Sequence, residues 1–320
     1  MVSLGYTLSS EEFRASDLVE QAVKAEEAGF AFTSISDHFH PWLDTQGHSP
    51  FVWSTLGGIA TRTSSIEVMT GVTPLSHHYH PTIVAQAAAT IADMMPGRFS
   101  LGIGTGEALN EHIMGLPWPP VSIRQEMMKE SLEIIRLLWE GDYKTFEGKY
   151  YKVHNARLYT LPEQLPPVIV SAFGPESAEI AGEIGDALVS TAPDKEVVDT
   201  FARSGGENKP RYGQLTMVYD EDEQRAKETA LKYWSYTILG GQASQELSLP
   251  KHYQEAVEPL ATVDNVAKSV VCSNDPDRFH EEIQKYIDAG FTHVYLHQVG
   301  PDQYKFFDFA QKELLPQYQN

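Results

Sequence analysis

Short apolar runs alternate with amphipathic stretches along most of the chain. Leu4–Leu8, Phe32–Ser36, Ile66–Val72, Phe99–Ile103, Val168–Ala172, Ala187–Thr191, Gln214–Tyr219 and His293–His297 read as strands. Between them apolar residues recur at helical spacing. Leu18, Val19, Ala22, Val23 and Ala25 mark a helix over Ser16–Ala28 that Gly29 stops. Met127, Leu132, Ile135 and Leu138 mark another over Arg124–Trp139. Further helices are predicted at Trp53–Arg62, Pro81–Met94, Ser177–Ile184, Val197–Ala202 and Asp302–Leu315. Asp275-Pro276 supplies a cap and a first-turn proline for a helix over Asp275–Ala289.

Strands that alternate with helices over short connections argue a parallel sheet with right-handed crossovers. Eight such units argue closure into a (β/α)8 TIM barrel, here one domain over residues 1–320 with two excursions. A doubly wound sheet is the alternative, but no Gly-x-Gly-x-x-Gly opens a helix after the first strand. The first excursion, near 141–167, is rich in Tyr, Pro and Gly and reads as a hairpin, Tyr143–Phe146 against Tyr150–Val153. The second, near 221–260, reads as inserted helices at Asp222–Ser235 and Tyr253–Pro259.

Charge narrows the partners. Against 24 basic residues stand 44 acidic ones, a formal charge of −20 that repels nucleic acid and anionic membranes. The lone Cys272 forbids an intrachain disulfide, and its Val270-Val271 setting predicts a buried structural thiol. No apolar run reaches the roughly 18 residues of a membrane span, and the N-terminus has no charged, apolar leader pattern. The expectation is a cytoplasmic enzyme acting on a small molecule.

Two segments carry candidate chemistry. Ser36-Asp37-His38-Phe39-His40-Pro41-Trp42 follows one strand, and Gly104-Thr105-Gly106-Glu107-Ala108-Leu109-Asn110 follows another. Strand C-terminal ends are where a barrel does its chemistry. His38 suits proton transfer near neutrality, with Asp37 and Trp42 to hold it. The Gly-rich turn brings backbone N–H groups toward an anion, and Glu107 adds a carboxylate. His48, His77, His78 and His80 have the wrong spacing for a metal and read as solvent or pocket residues, so no metal is expected.

Together these motifs resemble the luciferase-like flavin and deazaflavin oxidoreductases, and within them the branch of glucose-6-phosphate dehydrogenases that use coenzyme F420. The likeness runs from Leu4-Gly5-Tyr6 through both segments, Trp139-Glu140-Gly141-Asp142, Tyr150-Tyr151 and Asp275-Pro276-Asp277 to the C-terminal helix. It implies a TIM barrel, a homodimer and F420 as cofactor. It implies His38 as general base toward a substrate hydroxyl and Glu107 as the proton partner of the deazaflavin. Trp42 would wall the substrate pocket, and Glu11 would organise the site. Asp37, Thr73, Thr105, Gly106, Asn110, Ala172, Gly174 and Thr191 would bind cofactor. Thr70-Gly71 matches the family's often cis peptide behind the ring.

The phosphate-binding positions of that branch depart from its pattern. Lys251-His252 can be matched as substrate residues, but Ser269 stands where an Arg is expected, and a Lys position falls on Asp194 or Lys195. Without a bidentate guanidinium the reading favours an unphosphorylated alcohol, or its carbonyl product in reverse. The alternatives are a sugar-6-phosphate dehydrogenase and an FMN-dependent monooxygenase on the same barrel.

Overall fold

The computed structural model of the protein describes residues 2–318. Eight parallel strands form the barrel: β1 Ser3–Leu8, β2 Phe32–Ile35, β3 Glu67–Thr70, β4 Phe99–Gly104, β5 Val168–Ser171, β6 Ala187–Ser190, β7 Arg211–Tyr219 and β8 His293–Gln298. They pair in chain order from β1 to β7, then β7 pairs β8 and β8 pairs β1, which closes the sheet. Closure leaves no long unpaired edge in the barrel.

Side chains alternate across each strand, so every second residue enters the lumen. Phe32, Met69, Ile169, Ala187, Val189, Tyr212 and Tyr295 pack there as one apolar cluster. The opposite faces of the strands meet the helices in a larger core, for example Leu4, Leu18, Ile35, Leu56, Val68, Val84, Leu101 and Ile135. Above the lumen cluster, at the strand C-terminal ends, the inward residues turn polar: Thr7, Ser171, Thr191, Gln214 and His297 all face one cavity.

The predicted strand over Ile66–Val72 is shorter than expected. It ends at Thr70, and after Gly71-Val72 the pair Thr73–Pro74 rejoins β4. The cis peptide is Gly71-Val72, one bond beyond the expected Thr70-Gly71. The first excursion is an antiparallel hairpin, shifted to Lys144–Glu147 against Lys152–Ala156. Glu130 holds its turn by accepting the N–H groups of Lys149, Tyr150 and Tyr151 at 2.8, 2.9 and 2.7 Å. The second holds helices Glu223–Trp234 and Pro250–Val257. An unforeseen strand, Val271–Ser273, pairs the end of β7 and carries Cys272, whose thiol is pushed up to about 12 by burial.

Candidate active site

The chain leaves β1 through Ser9 and Ser10 into Glu11, which is buried. Glu11 Oε2 accepts the hydroxyls of Ser36 at 2.7 Å and Ser9 at 3.1 Å. Ser10 locks the same loop to β2, its hydroxyl donating to the Ser36 carbonyl at 2.7 Å. Glu11 Oε1 then stands 3.4 Å from His38 Nδ1. A carboxylate on that side favours the ring proton on Nδ1 and leaves Nε2 as the basic nitrogen. The His38 ring meets Trp42 edge-on, with centroids 5.0 Å apart. Trp42 in turn stacks on Tyr236 at 4.5 Å and 9°.

Asp37 serves the wall beside His38. It is buried and accepts from Thr73 Oγ1 at 2.9 Å and from the Tyr79 hydroxyl at 3.0 Å. Burial nevertheless pushes its carboxyl up to about 7, against the pull of those two donors and of the His38 charge. Tyr79 stacks on His78 at 4.2 Å. Desolvation, aided by the His38 charge, brings His78 down to about 4.

The β4 end supplies the facing half. Glu107 opens the short helix Ala108–Glu111. Asn110 Oδ1 accepts the N–H groups of Phe39 at 2.9 Å and His40 at 3.0 Å, while its Nδ2 donates to Glu107 Oε2 at 3.4 Å. Glu111 reaches back under the next loop, taking Ser76 Oγ at 2.6 Å and the N–H groups of His77 and His78 at 2.6 and 2.8 Å. Glycine is required here: a Cβ on Gly104 would lie 2.7 Å from Val72 Cγ2 and 2.8 Å from Ser171 Oγ. Gly106 has φ +72°.

These groups converge on a cavity of about 940 Å³, counting its mouth. Its lining includes Thr7, Glu11, His38, Trp42, Gly71, Val72, Gly104, Thr105, Gly106 and Glu107, together with Ser171, Phe173, Thr191, Gln214, Trp234, Tyr236, Gln245, Tyr295 and His297. It carries two carboxylates and neither Lys nor Arg. A second groove shares Thr105, Ser171, Phe173 and Gln245 with it and runs to Gly174, at the N-terminus of helix Pro175–Ile184. There the N–H groups of Phe173 and Gly174 each donate to Ser177 Oγ at 3.2 Å.

Residues 2–293 match the luciferase-like monooxygenase family. The chain belongs to that family. Two F420-dependent glucose-6-phosphate dehydrogenases are similar over nearly the whole length. That of Segniliparus rotundus is 36% identical over 329 residues, covering 98% of this chain and 97% of its own. That of Microbacterium testaceum is 35% identical, covering 98% and 96%. An F420-dependent secondary alcohol dehydrogenase, solved with an F420-acetone adduct, superimposes with TM-score 0.91 at 31% identity, covering 100% of this chain and 99% of that one. The F420-dependent tetrahydromethanopterin reductase of Methanopyrus kandleri shares the fold, with TM-score 0.81 at 22% identity over 99% of each chain.

In this luciferase-like barrel the expected residues fall into three groups. Glu11, His38, Trp42, Gly71, Thr105, Gly106, Glu107 and Thr191 face the main cavity, and Gly174 faces the adjoining groove. Asp37, Thr70, Thr73, Asn110 and Ala172 lie behind the wall. Thr70 Oγ1 exchanges hydrogen bonds with Gly102, donating to its carbonyl at 2.8 Å and accepting its N–H at 2.9 Å. Ala172 is fully buried, its N–H donating to Val189 O at 2.9 Å.

Lys251 and His252 are the correction. They sit on the outer face of helix Pro250–Val257, and Lys251 Nζ is 3.5 Å from Glu255. The same helix turns Tyr253 inward, edge-on to Trp42 at 5.4 Å. Ser269, Asp194 and Lys195 are exposed as well, and Lys195 pairs with Asp199 at 2.6 Å. The sequence reading missed Gln214, Trp234, Tyr236 and His297. For Gln214 and His297 a signal exists in the inward alternation Tyr212, Gln214, Thr216 and His293, Tyr295, His297. Trp234 and Tyr236 come from the second excursion and carry no such signal. Among the described residues no cluster of three metal-ligating side chains occurs, and no helix is long and apolar enough to cross a membrane.

Proposed function

We propose that this protein oxidises an unphosphorylated alcohol, or reduces its carbonyl product, with coenzyme F420 as the hydride carrier. The dehydrogenases similar over its full length support F420-dependent redox chemistry. The observation that carries the substrate reading is the cavity lining, which presents Glu11 and Glu107 and no cation. A dianionic phosphate entering it meets negative charge and finds no guanidinium or ammonium partner.

The residues fit the cofactor. Gly71, Gly104 and Gly106 pack their backbones so closely against Ser34, Val72, Ser171 and Glu111 that no side chain fits, and so they present bare backbone on the cavity lining, beside Val72, where a flat ring could lie. Thr105 and Thr191 offer hydroxyls at the rim, and the helix N-terminus at Gly174 suits a phosphate group. Bound F420 supplies the two-electron acceptor for the hydride of the alcohol carbon.

The chain's own groups handle the proton. The alcohol O–H bond breaks toward His38 Nε2, and the imidazolium so formed is stabilised by Glu11 Oε1 across 3.4 Å from Nδ1. Glu107, steadied by Asn110, holds or releases the proton that balances charge on the opposite side of the cavity. Trp42, Tyr236 and Trp234 form an apolar wall that excludes water from the reacting carbon.

A screen of alcohols and sugar phosphates with purified protein and F420, following loss of deazaflavin absorbance, tests the reading. Turnover of neutral alcohols ahead of sugar phosphates is expected. Tight FMN binding with no F420 binding, by fluorescence quenching, overturns it.

A further inference from the structure

Gln214 stands on the cavity floor at the centre of a buried polar chain that the proton chemistry leaves unused. Its amide nitrogen lies 3.2 Å from Thr216 Oγ1 and 3.4 Å from His297 Nδ1. Both amide protons therefore have acceptors, and Oε1 is the atom left for the cavity. Its backbone is pinned too, since the Tyr286 hydroxyl donates to the Gln214 carbonyl.

His297 is buried and fixed from the other side. Its ring meets Trp234 edge-on at 4.3 Å, and its Nε2 stands 3.7 Å from Glu12 Oε1. Glu12 is itself buried and takes the Gly300 N–H on Oε2 at 2.7 Å. The Glu12 carboxylate on that side favours the ring proton on Nε2, which leaves Nδ1 to accept from Gln214. Reversing the Gln214 amide would set its oxygen against an unprotonated Nδ1 and the Thr216 hydroxyl, so the chain Glu12–His297–Gln214 fixes which atom is presented. Thr7, also on the floor, has a hydroxyl oxygen with no hydrogen-bond partner.

We propose that Gln214 is a specificity-determining residue whose Oε1 accepts a second hydroxyl of the substrate, with His297 and Glu12 as its positioning residues. The preferred substrate is then a diol or larger polyol: the aromatic wall of Trp42, Trp234 and Tyr236 takes its carbon face, and the floor takes the hydroxyl beyond the one that reacts. This rests on the alcohol reading above.

The test compares butane-2,3-diol with butan-2-ol. Wild-type protein is expected to favour the diol by about tenfold in kcat/KM, the equivalent of one net hydrogen bond. In Gln214→Leu that ratio falls to near one. Glu12→Gln and His297→Asn raise the diol KM more than they lower kcat, and His297→Asn loses less than His297→Leu because it keeps an amide group beside Gln214. Calorimetric titration of protein loaded with reduced F420, a dead-end complex, gives the same ranking without turnover. Equal binding of diol and monohydric alcohol overturns the proposal. So does a loss of F420 affinity in Gln214→Leu equal to the loss in diol affinity, which assigns the amide to the cofactor. If neither alcohol is oxidised, the functional reading fails, while the dead-end titration still decides the floor.

Discussion

The side-chain oxygen of Asn110 accepts the backbone N–H of His40 at 3.0 Å and thereby ties the β4 motif to the β2 motif. A second bond, from Phe39 N at 2.9 Å, makes the tie two-pronged. Asn110 is fully buried, so its role is that of a strut between the loops that carry His38 and Glu107. Asn110→Ala strands two N–H groups, each costing about 1–3 kcal/mol where water cannot replace the partner. A fall in Tm together with lower kcat is expected, whereas Asn110→Asp keeps the acceptor and most of the stability. Chemical denaturation of the two variants side by side checks this. Equal losses would show that the acceptor oxygen is not what matters.

The proposed proton acceptor is His38, with Glu11 as the carboxylate beside its Nδ1. His38→Ala is expected to lower kcat by about a hundredfold or more, within the ~10²–10⁴ range of general base catalysis, with a modest change in F420 affinity. Glu11→Gln keeps the hydrogen bonds from Ser36 and Ser9 but removes the charge beside Nδ1. Its kcat is expected to fall by about tenfold or more, with the acid limb of the pH profile displaced to lower pH, because the imidazolium loses its partner charge. Steady-state kinetics across pH, with F420 affinity followed by fluorescence, checks both. An unchanged profile in Glu11→Gln would reduce Glu11 to a loop anchor.

Most of the barrel was legible because most strands are apolar-rich runs bounded by amphipathic helices, a local signal. What failed was whatever tertiary contact decides. The hairpin slid to Lys144–Glu147 and Lys152–Ala156 because Glu130, on the preceding helix, fixes its turn through three backbone N–H groups. Val271–Ser273 is too short to declare itself and exists by pairing with β7. The two candidate motifs, Ser36–Trp42 and Gly104–Asn110, were readable as contiguous words. The floor was not, since Gln214 and His297 acquire meaning only once β7 and β8 are neighbours, with Thr216 registered on His297. For Lys251 and His252 a resemblance misled where periodicity would have served. Tyr253 and Val257 are spaced i, i+4 and bury one face, which sends 251 and 252 outward.

Asp37 predicts a pH signature. Its native-state carboxyl is raised to about 7 by burial, well above its ordinary value. Between the two values the folded protein binds the proton more tightly than the unfolded chain does. This contribution to stability is therefore present in acid and is lost as pH rises toward 7. Asp37→Asn removes the titration. The Tm of the variant relative to wild type is expected to rise as pH goes from 5 to 8, whatever the offset from its altered hydrogen bonds. A difference that stays flat across that range would mean the native carboxylate is not destabilised by its burial.

The last prediction concerns phosphate. With no cation on its lining, the cavity lacks a charge pair whose loss from a buried site is typically worth roughly 2–5 kcal/mol, or ~30-fold and upward in affinity. Glucose-6-phosphate is accordingly expected to trail the best neutral alcohol by at least about that factor in kcat/KM. The sequence position that tempts repair is Ser269, where the resemblance leads one to expect an Arg. Its side chain is exposed and lies outside the cavity lining, as do Lys251 and His252. Ser269→Arg is therefore expected to leave sugar-phosphate turnover unchanged within about twofold, a surface substitution being worth little. An arginine placed on the lining itself, as in Thr191→Arg, is the variant expected to raise glucose-6-phosphate binding, because only there can a guanidinium reach a ligand. Wild-type kinetics showing glucose-6-phosphate as the best substrate, or a clear rescue by Ser269→Arg, would mean that the outer helices move their cations over the mouth when substrate binds.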